Sequence, residues 1–98
     1  MVTYEVSAVV RADLADAYEK YMKPHIVAVL ATGCFVGATF DRAAGHKYRA
    51  RYQAKDQQSV DKYLAEHTER LRTDFARHFP SGVDLSREVW QTTGTWER

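Results

Sequence analysis

Apolar residues alternate from Val2 to Val10, with Tyr4, Val6, Ala8 and Val10 on one side and the mostly polar Thr3, Glu5, Ser7 and Val9 on the other. A two-residue period of this kind predicts a half-buried strand. The pattern then changes to three- and four-residue steps. Asp13 is placed to cap a helix with the stripe Leu14, Ala17, Tyr18, Tyr21 and Met22, and Pro24 pushes Lys23 out of helical geometry. Pro24 also suits the first turn of a second short helix, His25 to Thr32, with Gly33 as its left-handed stop. The first helix is therefore expected to be broken in two.

Cys34 to Asp41 and Lys47 to Gln53 read as strands joined by the hairpin loop Arg42 to His46. Val60, Tyr63, Leu64, His67, Leu71, Phe75 and Phe79 then recur at helical spacing, from a cap at Asp56 or Ser59 up to Pro80, and predict one long helix. Val83 to Gln91 closes the series as a fourth strand, with Val83, Leu85 and Val89 on one face and Ser86, Glu88 and Trp90 on the other.

The order β-α-β-β-α-β is the α+β, ferredoxin-like arrangement. Right-handed crossovers put both helices on one face of a four-stranded antiparallel sheet, with the first strand between the third and fourth. The expected core joins Val6, Ala8, Val10, Val36, Ala38, Phe40, Ala50, Tyr52, Leu85 and Val89 of the sheet to Tyr18, Leu30, Leu64, Leu71 and Phe75 of the helices. By alternation the other sheet face carries Glu5, Phe35, Arg49, Arg51, Glu88 and Trp90 among smaller polar residues. Arg49 and Arg51 could fork around a carboxylate or phosphate, with Phe35 and Trp90 as flat walls. Ion pairs from Glu5 to the same arginines explain the charges equally without a ligand.

Composition narrows the field. Ninety-eight residues, 45% hydrophobic and 28% charged, make one domain, residues 1–98, with a modest core. Lys and Arg number 14 against 13 Asp and Glu, a formal net charge of +1, so no broad positive field exists to hold a nucleic acid or an acidic membrane. An RNA-binding sheet would also need stacking aromatics where the third strand has Arg49 and Arg51. No apolar run approaches the roughly 18 residues of a membrane span. The opening residues lack the basic region and apolar core of a signal peptide, and the one cysteine, Cys34, cannot form an internal disulfide. The expected compartment is the cytoplasm.

Few side chains are placed for chemistry. His25 beside Pro24, at the expected helix start, would be held neutral by unpaired N–H groups and the helix dipole and so is the first candidate for a catalytic base; packing in an irregular turn is the alternative. His67 lies in an apolar stripe and reads as a core residue. His67 and His78 stand about 16 Å apart along a helix, too far to share a metal. Neither metal-ligand spacings nor phosphate-cradling glycine loops occur, so no cofactor is expected. Cys34 reads as packing, and the charges around Arg70 and Arg72 as a solvated helix face.

The stretch His25-Ile26-Val27-Ala28-Val29-Leu30-Ala31-Thr32-Gly33-Cys34-Phe35 resembles the H-I-x-x-V-L-A-T-G-C-F signature of a small bacterial family, domain of unknown function 4286. The likeness continues through Tyr52 to Lys55 and Tyr63 to Arg72, as far as Phe79. It implies a subunit similar to the dimeric α/β-barrel proteins, a group of cofactor-free monooxygenases, small isomerases and ligand-sensing domains. The family motif singles out His25, Thr32, Gly33, Phe35, Tyr52, His67 and Arg70; Thr68 departs from the family's small residues and proline and speaks against a helix break after His67. In the barrel analogy two open sheet faces meet, burying Phe35 and Trp90 around a cavity that holds Arg49, Arg51 and Glu5.

The expectation is a homodimer that binds a small anionic or aromatic molecule near His25, Arg49 and Arg51. In its enzymatic form, monooxygenase- or isomerase-like without a cofactor, His25 is the general base. The competing expectation is a non-catalytic homodimeric binding or interaction module.

Overall fold

A computed structural model describes all residues from Met1 to Arg98. The elements run β1 (Val2–Val10), a 3₁₀ turn (Ala12–Leu14), α1 (Ala15–Leu30), β2 (Gly37–Ala43), β3 (Lys47–Ala54), α2 (Gln57–Glu66), α3 (Thr68–His78) and β4 (Val83–Gln91). The antiparallel sheet has the order β2-β3-β1-β4, with β1 inside as the sequence pattern requires. Register sets Glu5 opposite Arg51 on one side and Glu88 on the other. The helices cover one face, where Tyr4, Ala8, Tyr18, Met22, Val29, Tyr52 and Val60 form the centre of the core. No helix is long and apolar enough to cross a membrane.

Several local expectations are corrected. Pro24 does not break the first helix but lies inside the continuous α1. It forfeits the bond to the Lys20 carbonyl, four residues back, but both residues face solvent, where water can take that carbonyl. Tyr18, Met22 and Val29 on the opposite side bury their side chains and hold the helix together. Asp13 is not the cap of α1: it sits in the 3₁₀ turn and pairs with Arg11 at 2.6 Å.

The long second helix is in fact two, parted at His67 (φ −124°, ψ −27°). At about 100° per residue, a straight helix from Val60 to Phe79 would carry its apolar stripe about 100° around the axis, away from the sheet. Val60 and Tyr63 of α2 and Leu71 of α3 are buried, and beyond them Phe75 and Phe79 pack against the core. Thr68, rather than opposing the break, follows it, and its hydroxyl donates to the Leu64 carbonyl at 2.6 Å.

The second strand starts at Gly37, not Cys34. Gly33 (φ +78°) does end the helical region, and the chain turns through Cys34 before it extends. Strand alternation therefore does not reach Phe35 and Val36. Phe35 enters the core against Tyr4, Tyr52 and Tyr63, whereas Val36 is 69% exposed. Leu64 and Val89, expected in the core, are also exposed.

Candidate functional site

The sheet divides the expected site residues into two groups. Alternation along β3 sends Tyr48, Ala50 and Tyr52 toward the helices and Arg49 and Arg51 away from them. His25, on α1, lies on the helix side. The expected grouping of His25 with Arg49 and Arg51 is thus corrected: they lie on opposite faces of the sheet. Phe35, expected as a wall of the open face, is a core residue.

On the open face the arginines already have partners. Arg49 Nε donates to Asp41 Oδ2 at 3.0 Å, directly across from it in β2. Arg51 Nε lies 3.1 Å from Glu5 Oε1 but is not aligned as a hydrogen bond, so the contact is coulombic. Trp90 stands opposite Thr3 at the β4 edge and is half-exposed, as is Val9. A wide trough of about 450 Å³ bordered by Ser7, Val9, Asp41, Arg49 and Ser86 runs along this face.

The helix side holds a narrower, more apolar cavity of about 220 Å³ between the sheet and all three helices. Tyr18, Met22 and His25 of α1, Tyr52 of β3, Tyr63 of α2 and Leu71 and Phe75 of α3 form most of its wall, with Arg72 of α3 and Arg87 of β4 also on it. Burial drives the His25 pKa below its ordinary value of 6.5, against an opposing pull from Asp74, so the imidazole is neutral at neutral pH. The reason differs from the expected one, since His25 is in mid-helix and desolvation rather than a helix terminus keeps it uncharged. No protein group hydrogen-bonds to it. One ring nitrogen can therefore accept a proton from a bound molecule.

His25 is braced from behind. Its ring stacks on Tyr21, with centroids 5.4 Å apart, and the Tyr21 hydroxyl donates to Asp74 Oδ2 at 2.6 Å. That bond holds the Asp74 carboxyl below the usual range, and burial followed by the same bond raises the Tyr21 phenol. Inside the cavity, Tyr18 and Tyr52 are almost fully buried, and burial raises both phenols while no protein partner hydrogen-bonds to either. Tyr63 is pushed up to about 12 by burial and Tyr4, with Arg72 and Arg87 pulling the other way. Tyr18 and Tyr52 both line the cavity, where a guest molecule or water can bond their hydroxyls.

The remaining candidates lie elsewhere. Cys34 is buried as packing, and His67 stacks on Tyr63 at the helix break with its Nδ1 buried and unpartnered. No group of three or more His, Cys, Asp or Glu is arranged to hold a metal ion. Sequence reasoning missed the tyrosines as site residues because at helical and strand spacing they read only as core. It also passed over Arg87, although a charged residue at the apolar parity of β4, between Leu85 and Val89, was a readable signal.

Residues 1–93 match the family described as Domain of unknown function (DUF4286). No curated protein is detectably related in sequence. Among solved structures, the fold is similar to that of a protein from Deinococcus radiodurans assigned as an antibiotic biosynthesis monooxygenase: TM-score 0.73, 12% identity, covering 100% of this chain and 98% of that one. Rv0793 from Mycobacterium tuberculosis is also similar, with TM-score 0.69 and 10% identity over 99% of this chain and 100% of that one. A further antibiotic biosynthesis monooxygenase gives TM-score 0.61 and 12% identity over 96% of this chain and 100% of that one. At these identities the likeness establishes the ferredoxin-like fold alone.

Proposed function

Because the chain belongs to the DUF4286 family, whose description carries no activity, we propose from its own geometry that it binds a small molecule in the helix-side cavity, with His25 as the proton acceptor. The observation that carries this reading is a neutral histidine with no protein hydrogen bond, opening on an apolar cavity whose tyrosine hydroxyls are also unpartnered. A functional site of this kind combines an apolar body with a few polar groups.

In the enzymatic form, His25 takes a proton from an acidic C–H or O–H of the guest and becomes an imidazolium, leaving an enolate or phenolate. Returning the proton to another atom is an isomerisation. In a monooxygenase-like reaction the anion gives its electrons to dioxygen instead. A CH₂ group of the guest then becomes C=O, and the second oxygen atom leaves as water, so the guest supplies every electron. Similarity of fold to proteins named as monooxygenases supports that branch by analogy.

A second reading, the non-catalytic homodimeric module, rests on the open sheet face. Val9 and Trp90 are half-exposed there, and the neighbouring charges are already paired as Arg51–Glu5 and Arg49–Asp41. Such a face can be buried against a second copy with these two pairs intact, leaving Glu88 of β4 as a carboxylate on it that has no ion pair. The two readings are compatible as a homodimer with one helix-side cavity in each subunit. This reading assigns the protein to the cytoplasm, where the free thiol of Cys34 stays reduced.

Saturation-transfer NMR against a set of single-ring aromatic compounds tests the cavity. Binders are expected with the wild type, and Ala76→Trp, which places a large side chain on the exposed part of the cavity wall, should displace them. An absence of binders, or binding that Ala76→Trp leaves untouched, overturns the helix-side site.

A further inference from the structure

Resting on the cavity reading above, we propose that the guest is a single-ring aromatic carboxylate whose charge is held between Arg72 and Arg87. Five of the chain's arginines, at positions 11, 42, 49, 51 and 77, have a carboxylate within 4.0 Å. Arg72 and Arg87 have none, and both lie on the cavity wall. Arg87 reaches the helix side because it shares the parity of Leu85, and register sets it opposite Val6, so no cross-strand acid answers its charge. Arg72 has Glu69 one turn back on α3 but makes no ion pair with it. Asp74, also on α3, is already engaged by Tyr21 at 2.6 Å and Arg77 at 3.7 Å, and no acid lines the cavity itself.

The two guanidiniums come from different elements, α3 and β4, yet line the same cavity, and Tyr63 of α2 lines it with them. An anion on this part of the wall would have two fork-shaped donors and a phenol within the same cavity, a combination suited to the two oxygens of a carboxylate. The rest of the wall is aromatic and aliphatic, Tyr18, Tyr52, Phe75 and Met22, which suits a flat apolar ring. Size sets the limit. A dry cavity of roughly 150 Å³ holds benzene, so 220 Å³ takes one ring with a carboxylate and a short substituent.

The test compares 4-ethylbenzoate with 4-ethylbenzamide, which share shape and differ in charge, by calorimetry and amide NMR shifts on the wild type and on the Arg72→Gln/Arg87→Gln double variant. Both arginines are exposed at the surface, so the variant keeps the core intact. Expected is tighter binding of the benzoate to the wild type by about 10-fold or more, with shifts at Tyr52, Tyr63 and His25. The double variant should lose that preference while still taking up the amide. Equal affinity of the two compounds for the wild type, a preference that survives in the double variant, or shifts centred on Arg49 and Arg51 would each overturn the carboxylate assignment. If neither compound binds either protein, the cavity reading itself fails.

Discussion

The hydroxyl of Tyr21 on α1 donates to Asp74 Oδ2 on α3 at 2.6 Å, the one long-range side-chain hydrogen bond between these helices. Because the Tyr21 ring also lies against His25, the bond fixes the wall behind the candidate base. Asp74 has its pKa lowered by the bond, so its contribution to stability is present above the ordinary carboxylate pKa, 3.8, and is lost as pH falls through the lowered value. Tyr21→Phe should therefore lower the urea midpoint at pH 7 and flatten the loss of stability as pH falls below the ordinary carboxylate value of 3.8. An acid limb with unchanged slope would remove Tyr21 as the cause.

His25 makes the opposite end of the same assembly sensitive to mild acid. Its folded-state pKa is depressed by burial, so the unfolded chain binds a proton at higher pH than the native one. The sign follows: stability is fully present above 6.5 and falls as pH drops through the lower folded value. His25→Gln should abolish this part of the decline between pH 7 and pH 5, seen in urea midpoints. An imidazole titrating in NMR at or above 6.5 would show that the ring is not desolvated as described.

Tyr52 separates the worth of a ring from that of a hydroxyl. It is 2% exposed, and its hydroxyl has no protein partner. Tyr52→Phe removes no hydrogen bond and should change stability by less than about 1 kcal/mol. Tyr52→Ala takes away a ring packed on Tyr4 and Phe35 and should cost about 3–5 kcal/mol. A loss above about 2 kcal/mol in the phenylalanine variant would mean that the hydroxyl holds a structural partner, such as a buried water, and does not await a guest.

What the chain's pattern made legible was long-range and periodic: four strands, their order and the parity of Arg49, Arg51 and Trp90 all follow from two-residue alternation. Local irregularities were not legible, because they depend on tertiary burial. Pro24 is tolerated because its side of α1 faces solvent, and the break at His67 falls inside a stripe whose spacing reads as one continuous helix. Phe35 was lost for the same reason, since a turn at Cys34 shifts its direction. His25 was found as a residue, but its cavity was not, since the tyrosines that build it come from four separate elements.

Pro24 carries a prediction of its own. In mid-helix the missing N–H and the ring clash cost up to roughly 3 kcal/mol, while proline recovers about a fifth of that by restricting the unfolded chain. Pro24→Ala should therefore stabilise the protein by about 1–2 kcal/mol in urea unfolding. A destabilised variant would show that Pro24 helps to seat Val29 and Ile26 on the core.

The open sheet face decides whether the proposed dimer exists. Val9 and Trp90 are its exposed apolar side chains on β1 and β4, and both would be covered when two such faces meet around a two-fold axis. A charge introduced at either position would be desolvated without a partner, whereas the existing pairs Arg51–Glu5 and Arg49–Asp41 carry their own counter-charge. Native mass spectrometry of the wild type should accordingly give a dimer, and Trp90→Glu should raise the dissociation constant about 30-fold or more, the equivalent of about 2 kcal/mol at a central aromatic contact. Arg49→Ala should weaken the same association and leave uptake of ring compounds on the helix side unchanged, because the sheet separates the two. A wild-type monomer at all concentrations would remove the dimer and leave the helix-side cavity standing alone, whereas a dimer indifferent to Trp90→Glu would move the interface to the helices.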